Sequence, residues 1–162
     1  MMKQTTLCYL FEGDSVLMLH RTKKKNDQSH DKWLGVGGKC LPDESPDECM
    51  VREVEEETGF VVSDWVYRGI VTFVSDIWES EYMHLFTSLQ WSGCEIECNE
   101  GDLCWVSKDV LLDLPLWQGD KIFLKLLMDP NQAFFSLKLS YVGDRLVSAK
   151  LDGRELSIDE WL

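Results

Sequence analysis

Positive charge is scarce in this chain. Its 162 residues hold 16 Lys and Arg against 29 Asp and Glu, a formal net charge of −13. Proteins that track a DNA or RNA backbone present basic surfaces, so this balance argues against a nucleic-acid polymer as partner. A small phosphorylated substrate remains compatible, because metal ions and a few basic side chains can meet its charge locally. Paired cysteines are also missing. Cys8, Cys40, Cys49, Cys94, Cys98 and Cys104 form no Cys-x-x-Cys pair and no Cys/His set with zinc spacing. Free buried thiols and a reducing cytoplasm are therefore expected. The opening Met1 to Thr6 leads into an apolar run too short for a signal peptide or a membrane span, so no membrane partner is expected. Repeats and low-complexity tracts are absent. The 44% of hydrophobic residues, with 7 Trp and 7 Phe, suffices to fill the core of one domain spanning 1–162.

What the chain does have is concentrated between Gly38 and Phe60. Gly38 is followed after five residues by Glu44, and after seven more by Arg52-Glu53-Val54-Glu55-Glu56-Glu57-Thr58-Gly59-Phe60. Pro42 to Pro46 mark a turn entering a helix, with Ser45 as N-cap and Pro46 at the first helical position. Gly59 stops the helix, and Phe60-Val61-Val62 opens a strand. Residues three and four apart share a helix face, which puts Glu53, Glu56 and Glu57 on one side and leaves Glu55 pointing outward. Such a run is commonly a solvated face, but here only Arg52 supplies a cation within it. Clustered carboxylates are hard oxygen ligands suited to Mg²⁺ or Mn²⁺.

Elsewhere, Thr5 to Phe11 and Ser15 to His20 are expected as strands joined by a turn at Glu12-Gly13-Asp14. A loop from Arg21 to Lys32 follows, in which Lys24 and Lys25 are expected as solvated charge and Arg21 sits at a strand end. The dense glycines of Trp33-Leu34-Gly35-Val36-Gly37-Gly38-Lys39 form either a tight turn or a close backbone approach to a ligand. Strands are expected at Val61 to Val74, Tyr82 to Trp91 and Leu103 to Val106, and short helices around Lys108 to Leu114 and Asp120 to Met128. From Ala133 to Leu151 the pattern returns to strand, with a turn at Gly143-Asp144. Mixed strands with few helices suit an α/β sandwich.

The segment from Gly38 to Phe60 resembles the signature of the Nudix hydrolases, Gly-x5-Glu-x7-Arg-Glu-U-x-Glu-Glu-x-Gly-U with U bulky and apolar, and fills every fixed position. The resemblance implies a Nudix fold, a mixed β-sheet in an α/β/α sandwich, and metal-dependent hydrolysis of nucleoside diphosphates linked to another moiety. Beyond this box the chain resembles the MutT-type 8-oxo-dGTP diphosphatases. In those enzymes a segment similar to Leu114-Pro115-Leu116-Trp117-Gln118-Gly119-Asp120 holds the purine, Trp stacking on the base and Asp bonding its edge. On residue type alone, Trp117 is equally a core residue and Asp120 a charge at a helix N-terminus. The chain departs from mammalian-type members in having Gly119 before Asp120 instead of two consecutive Asp, and Leu34 where they carry Asn. The resemblance also implies metal ligation by Glu56, Glu57, the Gly37 carbonyl and Glu100. Glu53 is expected as general base or further ligand, and Glu100 shares that alternative. Arg52 is expected to orient the carboxylates by pairing with Glu44, Arg21 and Lys39 to meet phosphate, and Phe73 and Leu34 to border the base. The expected partner is a small-molecule nucleotide, the expected ion Mg²⁺ or Mn²⁺, and the assembly a monomer or homodimer. The implied reaction converts a purine nucleoside triphosphate, 8-oxo-dGTP first, to monophosphate and pyrophosphate. The alternatives are another nucleoside diphosphate derivative, such as ADP-ribose, a nucleotide sugar or a dinucleoside polyphosphate, and a nucleotide sensor without turnover.

Overall fold

A computed structural model describes residues 2–23 and 26–162. The expectation for Lys24 and Lys25 lies outside the described residues. The elements run β1 (Lys3–Glu12), β2 (Ser15–His20), β3 (Trp33–Leu34), α1 (Pro46–Thr58), β4 (Phe60–Ser75), β5 (Glu81–Gly93), β6 (Asp102–Ser107), α2 (Lys108–Leu111), α3 (Asp120–Met128), β7 (Phe135–Val142), β8 (Arg145–Leu151), β9 (Arg154–Glu155) and α4 (Ile158–Trp161). The strands join one sheet in the order β3-β2-β1-β5-β4-β7-β8-β9, with β6 also paired to β2. It is mixed: β1 runs parallel to β5 and β4 to β7, while the other pairings are antiparallel.

Strand alternation divides the apolar residues between the two faces of this sheet. On β1 and β2, Cys8, Leu10 and Leu17 pack with Met50 and Val54 of α1. Their neighbours Tyr9, Phe11, Val16 and Met18 pack with Ile122, Phe123 and Leu127 of α3. The sheet is thereby enclosed between α1 and α3, which is the expected α/β/α sandwich.

Helix α1 begins in a capping box: Glu48 N–H donates to Ser45 Oγ at 3.1 Å, and Ser45 N–H donates to Glu48 Oε1 at 3.0 Å. It ends at Gly59 with φ of 83°, a left-handed cap open to glycine at little cost. The second helix stops at Leu111, short of the expected Leu114; the chain goes on in tight turns, Asp113 N–H donating to Val110 O and Leu114 N–H to Leu111 O, and Pro115 disfavours helical conformation at Leu114. The two-residue strands β3 and β9 and the terminal α4 carry too little pattern to be read from sequence.

Candidate active site

Strand register builds the floor of a cleft of about 500 Å³. Lys3 on β1 lies beside Glu81 on β5, and Glu81 lies opposite Phe73 on β4. The next row is Thr5, Met83 and Val71. Residues paired in this way share a face of the sheet, and Lys3 Nζ indeed lies 3.8 Å from Glu81 Oε2. The cleft reaches Gly37, Gly38, Lys39, Glu53, Glu57, Arg21 and Glu100 at one end, and Leu34, Phe73, Trp78, Trp117 and Asp120 at the other.

At the carboxylate end, the glycines are required by space. A Cβ on Gly37 would stand 1.8 Å from Thr6 O, and one on Gly38 would stand 2.5 Å from the Glu53 carboxyl carbon. Backbone and carboxylate are thus packed against each other, and Gly37 N–H donates to Glu57 Oε2 at 3.2 Å. Burial raises the Glu57 pKa first; a hydrogen bond to Glu100 and the charges of Glu100 and Glu53 add to it, and the Gly37 N–H opposes. Glu53 is raised as well, by burial against the counter-effect of Arg52. These are acids held together with too little compensating charge, which favours a cation among them.

Arg52 organises the surrounding carboxylates. It meets Glu44 through two hydrogen bonds, Nε to Oε2 at 2.6 Å and Nη2 to Oε1 at 2.8 Å, so the expected pairing is present. Its Nη1 also holds Glu53 Oε1 at 2.8 Å and Glu56 Oε2 at 3.1 Å. The bonds from Arg52 and from Leu41 N–H bring the Glu44 carboxyl down to about 2. The expected common face of Glu53, Glu56 and Glu57 is therefore graded: Glu57 is buried, Glu53 lines the cleft, and Glu56, its side chain 57% exposed, stays on the rim with Arg52. Among the described residues, no three His, Cys, Asp or Glu side chains converge as a formed metal site. The donor set fits a hard divalent ion in chemistry, with Glu53, Glu57, Glu100 and the Gly37 backbone gathered at one end.

Arg21 lines this end but differs from its expectation as a phosphate ligand. Its Nε meets Asp27 Oδ2 at 2.8 Å and its Nη1 meets Glu100 Oε2 at 3.1 Å, so it ties the 21–32 loop to Glu100. Lys39 lines the cleft and is exposed.

At the other end Trp117 and Asp120 are buried, as core packing and a helix N-terminus imply, and both also border the cleft. Trp117 is 5% exposed, crossed edgewise by Phe73 and Tyr141, and still borders the cleft. Its Nε1–H donates to Ser29 Oγ at 3.0 Å, and the Lys32 ammonium sits 5.1 Å over its ring. Asp120 is the first residue of α3, 5% exposed, and its carboxyl is pushed up to about 8, by burial first and by the charge of Glu81 second. At neutral pH it is mostly a protonated acid, able both to donate and to accept. Leu34 and Phe73 border this end as expected. Sequence reasoning missed Lys3, Asn26 to Ser29, Lys32, Trp78 and Glu81. Their approach depends on pairing between distant strands and on how one loop folds back; spacing along the chain carried no signal for them.

Residues 1–127 match the model of the NUDIX domain, and the chain belongs to that family. It is a Nudix hydrolase, of a family that acts on small nucleotide substrates and generally uses a divalent metal such as Mg²⁺. Its relatives include the Nudix hydrolase YvcI of Bacillus subtilis, 28% identical over 161 residues and covering 96% of this chain and 98% of that protein. The oxidized purine nucleoside triphosphate hydrolase of Danio rerio is 28% identical over 152 residues, covering 93% of this chain and 94% of that protein. Among solved structures, the MutT protein from Bacillus halodurans superimposes with a TM-score of 0.82 at 29% identity, covering 93% of this chain and 98% of that one. Among the described residues, no helix is long and apolar enough to cross a membrane.

Proposed function

We propose that this Nudix hydrolase cleaves a purine nucleoside triphosphate, 8-oxo-dGTP first, to the monophosphate and pyrophosphate, as a single catalytic domain in a reducing cytoplasm. The observation that carries it is the polarity of the one cleft: an acidic end built by the box, and an aromatic end holding a buried carboxyl that is protonated at neutral pH. The purine nucleoside triphosphate named for the Danio rerio relative supports the same substrate class.

A divalent ion, Mg²⁺ or Mn²⁺, would be held by Glu57, Glu100 and the Gly37 carbonyl, with Glu56 reaching in from the rim, and would neutralise phosphate oxygens and acidify water. The chain's own groups do the rest. Arg52 fixes Glu53 at the edge of the cleft, with 15% of its side chain accessible. There Glu53 meets water, and we assign it to take the proton of the attacking molecule at a carboxylate oxygen. Arg21 holds Glu100 in place. Lys39 and Lys3 line the path between the two ends and meet phosphate charge. Phe73, Trp117 and Leu34 exclude water from the base, and Asp120 bonds its edge.

Pyrophosphate release from 8-oxo-dGTP, dGTP, dATP and ADP-ribose with Mg²⁺ tests this. A preference of tenfold or more in kcat/KM for 8-oxo-dGTP, about 1.4 kcal/mol, supports the assignment. Activity confined to ADP-ribose favours a second reading, hydrolysis of a nucleoside diphosphate joined to another group. A neighbouring cavity of about 320 Å³, which shares Lys3 and Lys39 with the cleft, has room for such a group.

A further inference from the structure

The turn between β4 and β5 carries Trp78 into the base end of the cleft, where it packs on the same core as Phe73 and Trp117. Its indole Nε1 is buried and, among the described residues, has no hydrogen-bond partner. Buried indole N–H groups ordinarily find an acceptor, and an unmet donor weakens the fold. Trp65 and Trp117 follow that rule, donating to Asp47 Oδ2 at 2.8 Å and to Ser29 Oγ at 3.0 Å.

The turn is held too firmly for the unmet donor to be a matter of looseness. Ser75 Oγ accepts from the backbone N–H of Ile77 at 3.2 Å and of Trp78 at 3.0 Å. Asp76 Oδ1 accepts from Gly143 N–H at 2.9 Å, and Ser80 O accepts from Lys3 N–H at 3.1 Å. The indole is therefore placed by backbone bonds on both sides, with its donor directed where the protein supplies no acceptor. An end of the cleft with an unmet donor suits a base that carries a carbonyl oxygen.

Resting on the nucleotide reading above, we propose that Trp78 determines specificity by donating its Nε1–H to a carbonyl oxygen of the purine. It packs on the aromatic core, away from the box carboxylates, so in this proposal it acts on binding of the base and leaves the chemical step alone.

The test is an indole N–H correlation spectrum of ¹⁵N-labelled protein, with Trp78 assigned by Trp78→Phe, titrated with dGMP and dAMP in the absence of metal. The expected result is a downfield shift of the Trp78 signal with dGMP and little movement with dAMP, whose base has no carbonyl. A shift of Trp117 with Trp78 unmoved overturns the proposal and leaves the nucleotide reading intact, and so does an equal response of Trp78 to both. Silence of every indole at millimolar nucleotide overturns both. Trp78→Phe keeps an aromatic side chain, smaller than indole, and removes the donor. Its kcat/KM on dGTP should fall about tenfold through KM, with kcat and the hydrolysis of base-free inorganic tripolyphosphate unchanged. Equal losses on tripolyphosphate would assign Trp78 to general structure instead.

Discussion

Glu57 and Asp120 are both buried acids with raised pKa values, and what they do differs because their neighbours differ. Glu57 faces Glu53 and Glu100, so its charge is tolerable only with a cation present. Glu57→Gln should keep the fold and lower turnover at least about 100-fold, the usual loss when one electrostatic element of a site is removed. Steady-state kinetics beside a circular dichroism spectrum would check this, and near wild-type turnover would refute the role. Asp120 lies instead near Glu81, Lys32, Tyr9 and Tyr141 at the aromatic end of the cleft, where under the proposed function its proton serves the base. As pH rises through about 8 the carboxyl loses that proton and becomes an acceptor only. KM for a keto purine should therefore climb between pH 7 and 9. Asp120→Asn, which keeps a donor and an acceptor at all pH values, should flatten that climb while retaining activity within about tenfold of wild type. A wild-type KM that stays level across this range would count against Asp120 as a base contact.

At the scale of elements, α1 is the part most fully written in local sequence. Its cap, first-turn proline, acidic face and terminal glycine lie within fifteen consecutive residues, and helix geometry converts that spacing into position with no information from the rest of the chain. Ser45→Ala removes one half of the capping box and should lower stability by about 1 kcal/mol, readable as a shift in denaturant midpoint. The base end was legible only in part, for the opposite reason. Trp117, Asp120 and Phe73 could be picked out by resemblance, but Glu81 and Trp78 join them through pairing of β1, β5 and β4, and a strand register of that kind is fixed by the finished sheet. The loop after β2 is the other case. Nothing in its sequence pointed to the core, yet Ser29 is buried against Trp117 and the Lys32 ammonium lies over the same ring. Lys32→Met removes the ammonium that lies over the Trp117 ring. It should change KM for purine nucleotides by several-fold in either direction while kcat on inorganic tripolyphosphate stays constant; no change in KM would mean that the loop does not border the bound base.

Across the whole molecule, the acidic balance and the site oppose each other until a cation arrives. The formal charge of −13 keeps the surface repulsive, and the buried cluster adds Glu53 and Glu57, both harder to ionise than free glutamate. An acid whose folded pKa is raised favours the fold fully below its unfolded value, and that contribution is lost as pH rises toward the folded one. The metal-free protein should accordingly lose stability from about pH 5 upward on account of these groups. Binding of Mg²⁺ or Mn²⁺ to the ionised carboxylates must first displace the proton, so affinity grows over the same range. Thermal unfolding at pH 6 and pH 8.5, with and without millimolar Mn²⁺, should therefore show a larger metal-induced rise in Tm at the higher pH. In Glu57→Gln that difference should shrink. An equal rise at both pH values in the wild type would mean that the ion binds elsewhere on the acidic surface, where no buried proton has to leave.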